Sequence, residues 1–367
     1  MGEVDTELSR HSSDASPRWN EYKGYIYRKN LVLAIEVLAV VTIALIAICS
    51  GSSGVSLDTA VAALFGQGDP QVQNIVWKLR MPRVLTALLG GIGLAVAGCA
   101  FQSVLRNPLG APSTLGVSQG AAFGASVAII LFGAGSTVSS NVADAVNISN
   151  PYLVSGMAFA GSMLSTAVIL GLSRFRQITP EGMILCGVAL SALFSGGTTL
   201  IQYFASDVQV AAVVFWTFGD LGRTSYREVG IIAVFTAAAL VFFLLNRWNY
   251  NAMESGETSA MGLGVNANRV RLASMIVGSL VTSTVVSFVG IVNFIGLIAP
   301  HIMRRFVGSD YRYLLPTSAL MGAILLLLGD LFARTVIAPV ILPIGAITSF
   351  LGAPLFLYLL FKGVSRR

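Results

Sequence analysis

The sequence contains few charged residues: Asp, Glu, Lys and Arg make up 11% of its 367 residues, whereas 55% are hydrophobic. A soluble protein carries roughly 25% charged residues, which cover its surface with polar groups. The composition therefore excludes a water-soluble fold, and the mean hydropathy of +0.77 indicates that lipid surrounds most of the chain. At about 20 residues per crossing, the length accommodates roughly ten spanning helices. The sequence predicts an all-α, polytopic membrane protein.

Histidine and cysteine are also scarce, with two and three residues respectively. Cys49, Cys99 and Cys186 lie far apart in apolar segments, where we expect them to be small core residues. Proteins that carry a bare transition metal ion usually present several His, Cys or acidic ligands. The sequence therefore predicts no metal site, and it predicts no catalytic residue, because a membrane-embedded enzyme would need similar clusters. We interpret His301, which lies outside the N-terminal segment, as a structural residue at a helix end.

The sequence also lacks a phosphate-binding loop of the form GxxxxGKS or GxxxxGKT, so this chain is not expected to bind ATP by that route. No cofactor is predicted for the chain itself. The formal net charge is +6. In a soluble protein this excess would suggest a nucleic-acid partner, but in a membrane protein basic residues in cytoplasmic loops account for it. No nucleic-acid partner is predicted.

Residues 1–28 are polar and are predicted to form a cytoplasmic N-terminal tail, followed by a ten-helix transmembrane domain over residues 29–367. The first apolar stretch is long enough to span the membrane, so it is expected to be an uncleaved helix and not a signal peptide. The predicted crossings are 31–50, 84–104, 114–134, 152–172, 183–204, 229–246, 270–292, 291–303, 314–333 and 343–361. Ten crossings place both termini in the cytoplasm, where 17 of the 23 lysines and arginines then lie, as the positive-inside rule requires.

Two arginines run against this charge distribution. Arg80 and Arg83, in the motif RMPR, precede the second crossing on the predicted external side. One interpretation is that their long side chains snorkel to the membrane surface. The other is a docking site for an acidic partner, because arginine pairs bidentately with carboxylates. Arg334 adds a charge on the same side, although Asp330 lies four residues earlier, at the spacing of a helical ion pair.

Prolines interrupt two segments that are predicted to end on the cytoplasmic side. The first is residues 106–112, with Pro108 and Pro112, and the second is residues 296–301, with Pro300. A proline frees a backbone carbonyl, which a membrane protein tolerates only inside the protein or beside a water-filled cavity. Broken segments in both halves of a transporter can line a central path. A simple loop is the alternative for the first segment.

The longest predicted cytoplasmic loop spans about residues 247–269. Within it, Ser255 and the stretch 257–261 predict a short helix that ends at Gly262, since glycine commonly terminates helices. A solvated connector is the alternative.

Several stretches together resemble a known family. They read RMPRVLTALLGGIGLAVAGCAFQSVLRNPLGAPSTLGVSQGAAFG, FWTFGDL, SGETSAMGLGV, GIVNFIGLIAPHIMRRFVGSDYRYLLP, GDLFAR and PIGAITSFLGAPLFLYLL, and they fall within about residues 55–363 in the family's order. On these motifs the chain resembles the permease subunits of the iron-chelate and vitamin B12 importers, a family of ATP-binding-cassette (ABC) transporters. The resemblance implies the ten-helix bundle of a type II ABC importer permease. One departure is Ile341, where the family often has Glu two residues before the proline, so an acidic contact is not expected there.

The resemblance also implies partners. Two permease subunits, expected to be identical copies, would enclose the translocation path. A pair of ABC ATPase subunits, which bind ATP and Mg, would dock on the cytoplasmic side. An extracytoplasmic substrate-binding protein would dock on the other side through acidic residues, and Arg80, Arg83 and Arg334 match the permease positions that meet them.

Two further sets of residues match positions with a role in the family. Asn107, Pro108 and Leu109 match the turn at the cytoplasmic gate. The residues that match the ATPase coupling loop are Gly256, Glu257, Thr258, Ser259, Ala260, Met261, Gly262, Leu263 and Gly264.

The family moves ferric siderophores, haem and cobalamin, all of them bulky and already chelated. A ferric siderophore is the expected cargo, with cobalamin and haem as alternatives, and the expected location is the plasma membrane. A different class, the ion-coupled secondary transporter, would place ionisable residues at mid-membrane. Glu36 and Asp330 are the main candidates for such a role, and both lie nearer to helix ends than to helix centres.

Overall fold

The computed structural model describes residues 15–51, 55–137, 146–148, 150–176 and 178–364. Over these residues the chain is mainly helical and has one pair of antiparallel three-residue strands, β1 (Gly135–Thr137) and β2 (Val146–Ile148). The helices are α1 (Ala15–Cys49), α2 (Leu57–Leu64), α3 (Pro70–Asn74), α4 (Met81–Val104), α5 (Val117–Ser126), α6 (Pro151–Arg176), α7 (Pro180–Tyr203), α8 (Asp207–Phe218), α9 (Tyr226–Leu245), α10 (Arg247–Glu254), α11 (Glu257–Gly262), α12 (Ala267–Val289), α13 (Ile295–Val307), α14 (Tyr311–Thr335) and α15 (Ile344–Val364). A π-helical turn, Ile75–Arg80, joins α3 to α4, and a second one, Val127–Leu131, extends α5.

Among the described residues, seven helical segments are long and apolar enough to cross a membrane. They are Lys23–Cys49, Pro70–Val104, Pro151–Phe175, Pro180–Tyr203, Tyr226–Leu245, Ala267–Val289 and Tyr311–Thr335. Three shorter apolar helices accompany them, at Val117–Leu131, Asp207–Phe218 and Ile344–Tyr358. Long and short helices together form the bundle of about ten helices, so the predicted all-α polytopic class is confirmed.

The first helix begins earlier than the polarity of the sequence indicates. α1 starts at Ala15, inside the predicted tail of residues 1–28, and continues without a break to Cys49. Pro17 lies in the first turn, where a missing backbone N–H costs no helical hydrogen bond. Residue 28 therefore marks a change of polarity within a helix and not a helix boundary. Residues 1–14 lie outside the described part of the chain.

The predicted crossing at 291–303 is only half a crossing in the structure. α12 ends at Val289, a non-helical stretch follows, and α13 has 13 residues. Such a helix rises about 20 Å, which is less than the about 30 Å of the apolar membrane core. The break forms because Gly290 and Phe294 adopt left-handed φ angles of 90° and 65°. A Cβ atom on Gly290 would lie 2.5 Å from the carbonyl oxygen of Trp216.

One helix was absent from the predicted crossings. α8 follows α7 after a short break, and its first turn is capped by Ser206, whose hydroxyl accepts a hydrogen bond from the backbone N–H of Gln209. The polar cap interrupts the apolar run, so the apolar stretch of this segment is shorter than a membrane crossing.

α4 is the central helix of the bundle and packs against α9, α12, α13 and α14. Glycines allow two of these contacts: Gly91 faces Gly322 of α14, and Gly98 faces Gly296 of α13 so closely that a Cβ atom would collide with the opposite carbonyl oxygen. Small residues let helix backbones approach in this way in lipid, where packing drives helix association.

The bundle has two ends, which α4 separates by about 36 Å, given its 24 residues. The Arg80 end carries the start of α4 and the end of α14, with Arg80, Arg83 and Arg334. The α11 end carries the end of α4, the turn at 106–109, and α11.

Candidate functional site

Arg83, Arg334 and Asp330 form a buried ion-pair cluster at the Arg80 end. Asp330 is completely buried, its Oδ1 accepts a hydrogen bond from Arg83 Nε at 2.7 Å, and its Oδ2 lies 3.0 Å from Arg334 Nε. Asp220, whose side chain is 41% exposed, adds a contact of 3.4 Å to Arg83 Nη2. The Asp330–Arg334 pair, which the sequence offered as an alternative to docking, is therefore present. Arg83 joins it from 247 positions away.

Arg80 and Arg334 also cap the carboxyl end of α1. The last carbonyls of a helix lack intrahelical partners and carry a partial negative charge. Arg80 Nη1 donates to two carbonyls of residues 47–50 at 2.7 and 3.0 Å, and the guanidinium of Arg334 donates to two others at 2.8 and 2.9 Å. These side chains therefore hold α1, α4 and α14 together.

The docking role of the three arginines stays a prediction, since all of them are buried in this structure. Other cations on the same end are exposed, namely Lys78, Arg223 and Arg227. The guanidinium of Arg227 stacks on the ring of Tyr152 at 5.0 Å. A partner that approaches this end would meet these exposed charges first.

The predicted coupling loop contains the short helix that its sequence indicates. α11 begins after Gly256, which has a φ of 109°, and ends at Gly262. Ala260 is buried, whereas Met261 is 60% and Leu263 71% exposed. The loop is thus anchored by a small residue and presents two large apolar side chains to its surroundings.

Arg271, in the first turns of α12, connects α11 to the end of α4. Its Nε donates to the carbonyl oxygen of Val104 at 3.0 Å, and its Nη2 pairs with the Glu257 carboxylate. The guanidinium thereby replaces the hydrogen bond that the chain loses where α4 ends. No local pattern in the sequence indicates this role of Arg271, because its partners lie 14 and 167 positions away.

The predicted gate turn follows directly on α4. Arg106 has a left-handed φ of 48°, the backbone N–H of Leu109 donates to Asn107 Oδ1 at 2.8 Å, and the N–H of Gly110 donates to the Asn107 carbonyl at 2.9 Å. Asn and Asp side chains commonly fix turns in this way. Pro108 lies at the centre of this turn and cannot continue the helix.

Gln102, near the end of α4, connects this helix to the second proline-interrupted segment. Its Nε2 donates to the carbonyl oxygen of Leu297 in α13 at 3.2 Å, and its Oε1 accepts from Arg304 Nη1 at 2.6 Å. Arg304 Nη2 also donates to the hydroxyl of Tyr311 at 3.1 Å. Both broken segments line one cavity, the first with Arg106, Asn107 and Pro108 and the second with His301, and its role as a central path stays a prediction.

That cavity has a volume of about 680 Å³ and opens at the α11 end. Its lining is polar and consists of Gln102, Arg106, Asn107, Pro108, Glu254, His301, Arg304, Arg305 and Ser309. It includes two of the three predicted gate residues, whereas Leu109 is exposed outside it.

Asp310 fixes the start of α14 beside this cavity. Its side chain accepts hydrogen bonds from the backbone and side chain of Arg312 and from Asn251 of α10. Burial raises the pKa of the carboxyl, but these hydrogen bonds outweigh it and lower the pKa from its ordinary value of 3.8 to about 2. The carboxylate therefore stays charged throughout the physiological pH range and holds α10 against the start of α14.

A second cavity of the bundle is apolar. A groove of about 510 Å³ lies between α13, α14 and α15, with Phe294, Leu325 and Leu351 among its lining residues. Within the described ranges, no group of three or more His, Cys, Asp or Glu side chains is arranged to hold a metal ion.

The chain matches the FecCD transport family over residues 38–362. It is 49% identical over 346 residues to MJ0087 of Methanocaldococcus jannaschii, which is assigned as an ABC transporter permease protein, and the match covers 94% of this chain and 98% of that protein. It is 36% identical to the Fe(3+)-citrate import system permease protein YfmE of Bacillus subtilis, over 91% of this chain and 96% of YfmE. It is 32% identical to the hemin transport system permease protein HmuU of Yersinia pestis, over 90% of this chain and 96% of HmuU.

A solved structure described as an inward-facing conformation of a metal-chelate type ABC transporter has the same fold. It is 29% identical in sequence, superposes with a TM-score of 0.78, and the match covers 91% of this chain and 99% of that one. The resemblance identified from the motifs is therefore confirmed: this integral membrane protein is an ABC transporter permease, a transport subunit and not an enzyme. The family match over most of its length and these full-length relatives establish that the chain belongs to the FecCD transport family.

Proposed function

We propose that this chain is the permease subunit of a binding-protein-dependent importer that moves a chelated iron compound, a ferric siderophore, into the cytoplasm. ATP would be hydrolysed by separate ATPase subunits. The relatives named for Fe(3+)-citrate and hemin transport support an iron-chelate cargo. Haem and cobalamin are the alternative cargoes for the same machinery.

The observation that carries the proposal is that α11 exposes apolar side chains and is bonded to the end of α4. Its exposed Met261 and Leu263 form an apolar surface that suits burial in the cleft of an ATPase subunit. Burying such side chains stabilises an interface, because apolar area leaves water. The Glu257–Arg271–Val104 connection then ties α11 to the end of α4. A push on α11 would reach the gate turn at 107–109 through this rigid link.

In this proposal the α11 end faces the cytoplasm, and both termini lie on that side of the plasma membrane. The distribution of basic residues supports the orientation. A second copy of the permease would complete the translocation path, since closed symmetric dimers are the commonest oligomers. The opposite, Arg80 end would meet the substrate-binding protein, with Arg80, Arg83 and Arg334 as the proposed docking residues.

Uptake experiments test this function. Cells that lack the gene and complemented cells would be compared for uptake of radiolabelled ferric siderophore, haem and cobalamin. Each assay would be run with the proton gradient intact and with the gradient collapsed while ATP is maintained. We expect complementation to restore ferric siderophore uptake, and we expect that uptake to survive collapse of the gradient. Restoration of cobalamin or haem uptake alone would change the cargo, whereas uptake that fails with the gradient would favour an ion-coupled secondary transporter.

A further inference from the structure

The polar cavity at the α11 end carries an excess of positive charge. Three arginines, Arg106, Arg304 and Arg305, line it together with a single carboxylate, Glu254, among the described lining residues. With His301 neutral, the lining has a formal charge of +2. Its volume of about 680 Å³ is large enough to admit a bulky chelate.

The orientation of one arginine is fixed by the protein. Arg304 Nη1 donates to Gln102 Oε1 at 2.6 Å and Nη2 donates to the Tyr311 hydroxyl at 3.1 Å, while Nε has no hydrogen-bond acceptor. Both acceptors are neutral groups, and the single carboxylate among the described lining residues, Glu254, can balance only one of the three arginines. A preorganised guanidinium in a lining with an excess of positive charge favours an anion that carries its own oxygen acceptors.

The cavity also adjoins the gate. Asn107 and Pro108 of the gate turn and His301, directly after Pro300 in α13, contribute to the same lining. A cargo that passes the gate would therefore meet the three arginines.

We propose that this cavity is a transit site for an anionic ferric chelate, whose carboxylate or other anionic oxygens the arginines bind. The inference rests on the proposed function and deepens it, because it assigns a charge to the cargo. It favours polycarboxylate-type chelates over an uncharged ferric complex, such as one in which three hydroxamates balance Fe³⁺, and over cobalamin, whose peripheral side chains are mainly amides.

The test uses the full-length permease in nanodiscs and two probes, ⁵⁵Fe(III)-citrate and an uncharged ⁵⁵Fe(III)-trihydroxamate complex. The variants are Arg305→Gln and Arg106→Asn, the latter because Asn tolerates the left-handed φ of 48° at this position. Arg269→Gln is the matched control, since Arg269 is an exposed cation at the same end that does not line the cavity. The same variants, co-expressed with the ATPase subunits, would be assayed for complex assembly and ATP-dependent uptake.

We expect each cavity variant to weaken ferric citrate binding about three- to tenfold, an effect that shrinks at high salt, with the trihydroxamate complex and the Arg269→Gln control unaffected. Equal losses for both probes, or no loss for ferric citrate, would overturn the proposal. A loss of ATPase assembly in the cavity variants would also overturn it, because the arginines would then be an ATPase contact.

A lipid headgroup is another source of anionic oxygens, so the binding assay would be repeated in nanodiscs of phosphatidylcholine alone and with added anionic phospholipid. Abolition of ferric citrate binding by the anionic lipid would assign the site to lipid and overturn the proposal. If ATP-dependent uptake of every chelate is absent in the wild type, the proposed function itself fails. If uptake persists and does not depend on the charge of the chelate, only this inference fails.

Discussion

At the scale of single residues, arginine side chains connect helices that are distant in the sequence. Arg83 reaches Asp330 of α14, and Arg271 reaches both α11 and the last carbonyl of α4, that of Val104. A buried ion pair is a demanding arrangement, because each charge loses its hydration. Removal of one partner leaves the others uncompensated, so the contribution of these pairs can be measured.

We expect Asp330→Asn to lower the free energy of unfolding by about 3–5 kcal/mol, because Arg334 would remain buried without a counter-charge and Arg83 would keep only the partly exposed Asp220. Thermal unfolding of the purified permease in detergent measures this. Asp220→Asn is the matched control: its side chain is 41% exposed and lies 3.4 Å from Arg83. This change should cost less than about 1 kcal/mol. Equal costs for the two variants would show that the Asp330 cluster contributes no special stability.

The same contacts affect tests of docking. Charge reversal at Arg80 or Arg83 would remove caps of α1 or the partner of Asp330, so a loss of binding in such variants would combine misfolding with lost recognition. Reversal at the exposed Lys78 or Arg227 avoids this problem, because neither side chain is buried.

At the scale of elements, short helices stand where the sequence breaks its apolar runs. α13 begins after a left-handed residue and ends at the cavity, and α11 buries Ala260 while it exposes Met261. Both are too short to be stable alone. Their positions depend on contacts with α4, namely Gly98 against Gly296 for α13 and Arg271 on Val104 for α11.

Weakening the link between α11 and α4 should separate ATP hydrolysis from transport. We expect Glu257→Gln to lower transport per ATP hydrolysed about tenfold, while ATPase activity changes less than about twofold, because the pair with Arg271 is lost and the hydrogen bond to Val104 remains. Proteoliposomes that contain permease and ATPase subunits measure both rates. Glu181→Gln, an exposed carboxylate at the same end, is the control. An unchanged transport-to-hydrolysis ratio in Glu257→Gln would reduce this ion pair to a local structural contact.

At the scale of the whole molecule, the two ends differ in what they expose. The Arg80 end buries Arg80, Arg83 and Arg334 among carboxylates and helix carbonyls, whereas the α11 end exposes apolar side chains and an arginine-lined cavity. The proposed importer needs this asymmetry, because a soluble binding protein and membrane-associated ATPases act on opposite sides.

The orientation can be checked by cysteine labelling in intact cells. Met261→Cys and Lys78→Cys would be introduced separately after replacement of Cys186, which is partly exposed, while Cys49 and Cys99 are buried. With a membrane-impermeant maleimide and the permease expressed alone, we expect Lys78→Cys to react in intact cells and Met261→Cys to react only after permeabilisation. The reverse pattern would invert the proposed topology.

Much of this protein follows from local features of its sequence. The scarcity of charge dictates a membrane environment, the length of apolar runs dictates long helices, and glycine and proline end α11 and α4 where the sequence indicates. The Asp330–Arg334 pair was also visible, because helical spacing brings residues four apart onto one face. Sequence motifs in both halves of the chain identified the family.

The tertiary structure decided how these elements are joined. Three contacts depend on residues 167 to 247 positions apart becoming neighbours. They are the bond of Arg83 to Asp330, the bond of Arg271 to the Val104 carbonyl, and the bonds of Gln102 to Arg304 and to Leu297 of α13. The half-length of α13 likewise depends on the close approach of Gly290 to Trp216. Hydropathy and helical periodicity report only on residues within a few turns of each other, whereas these contacts are selected by the packing of whole helices, so no local pattern contains them.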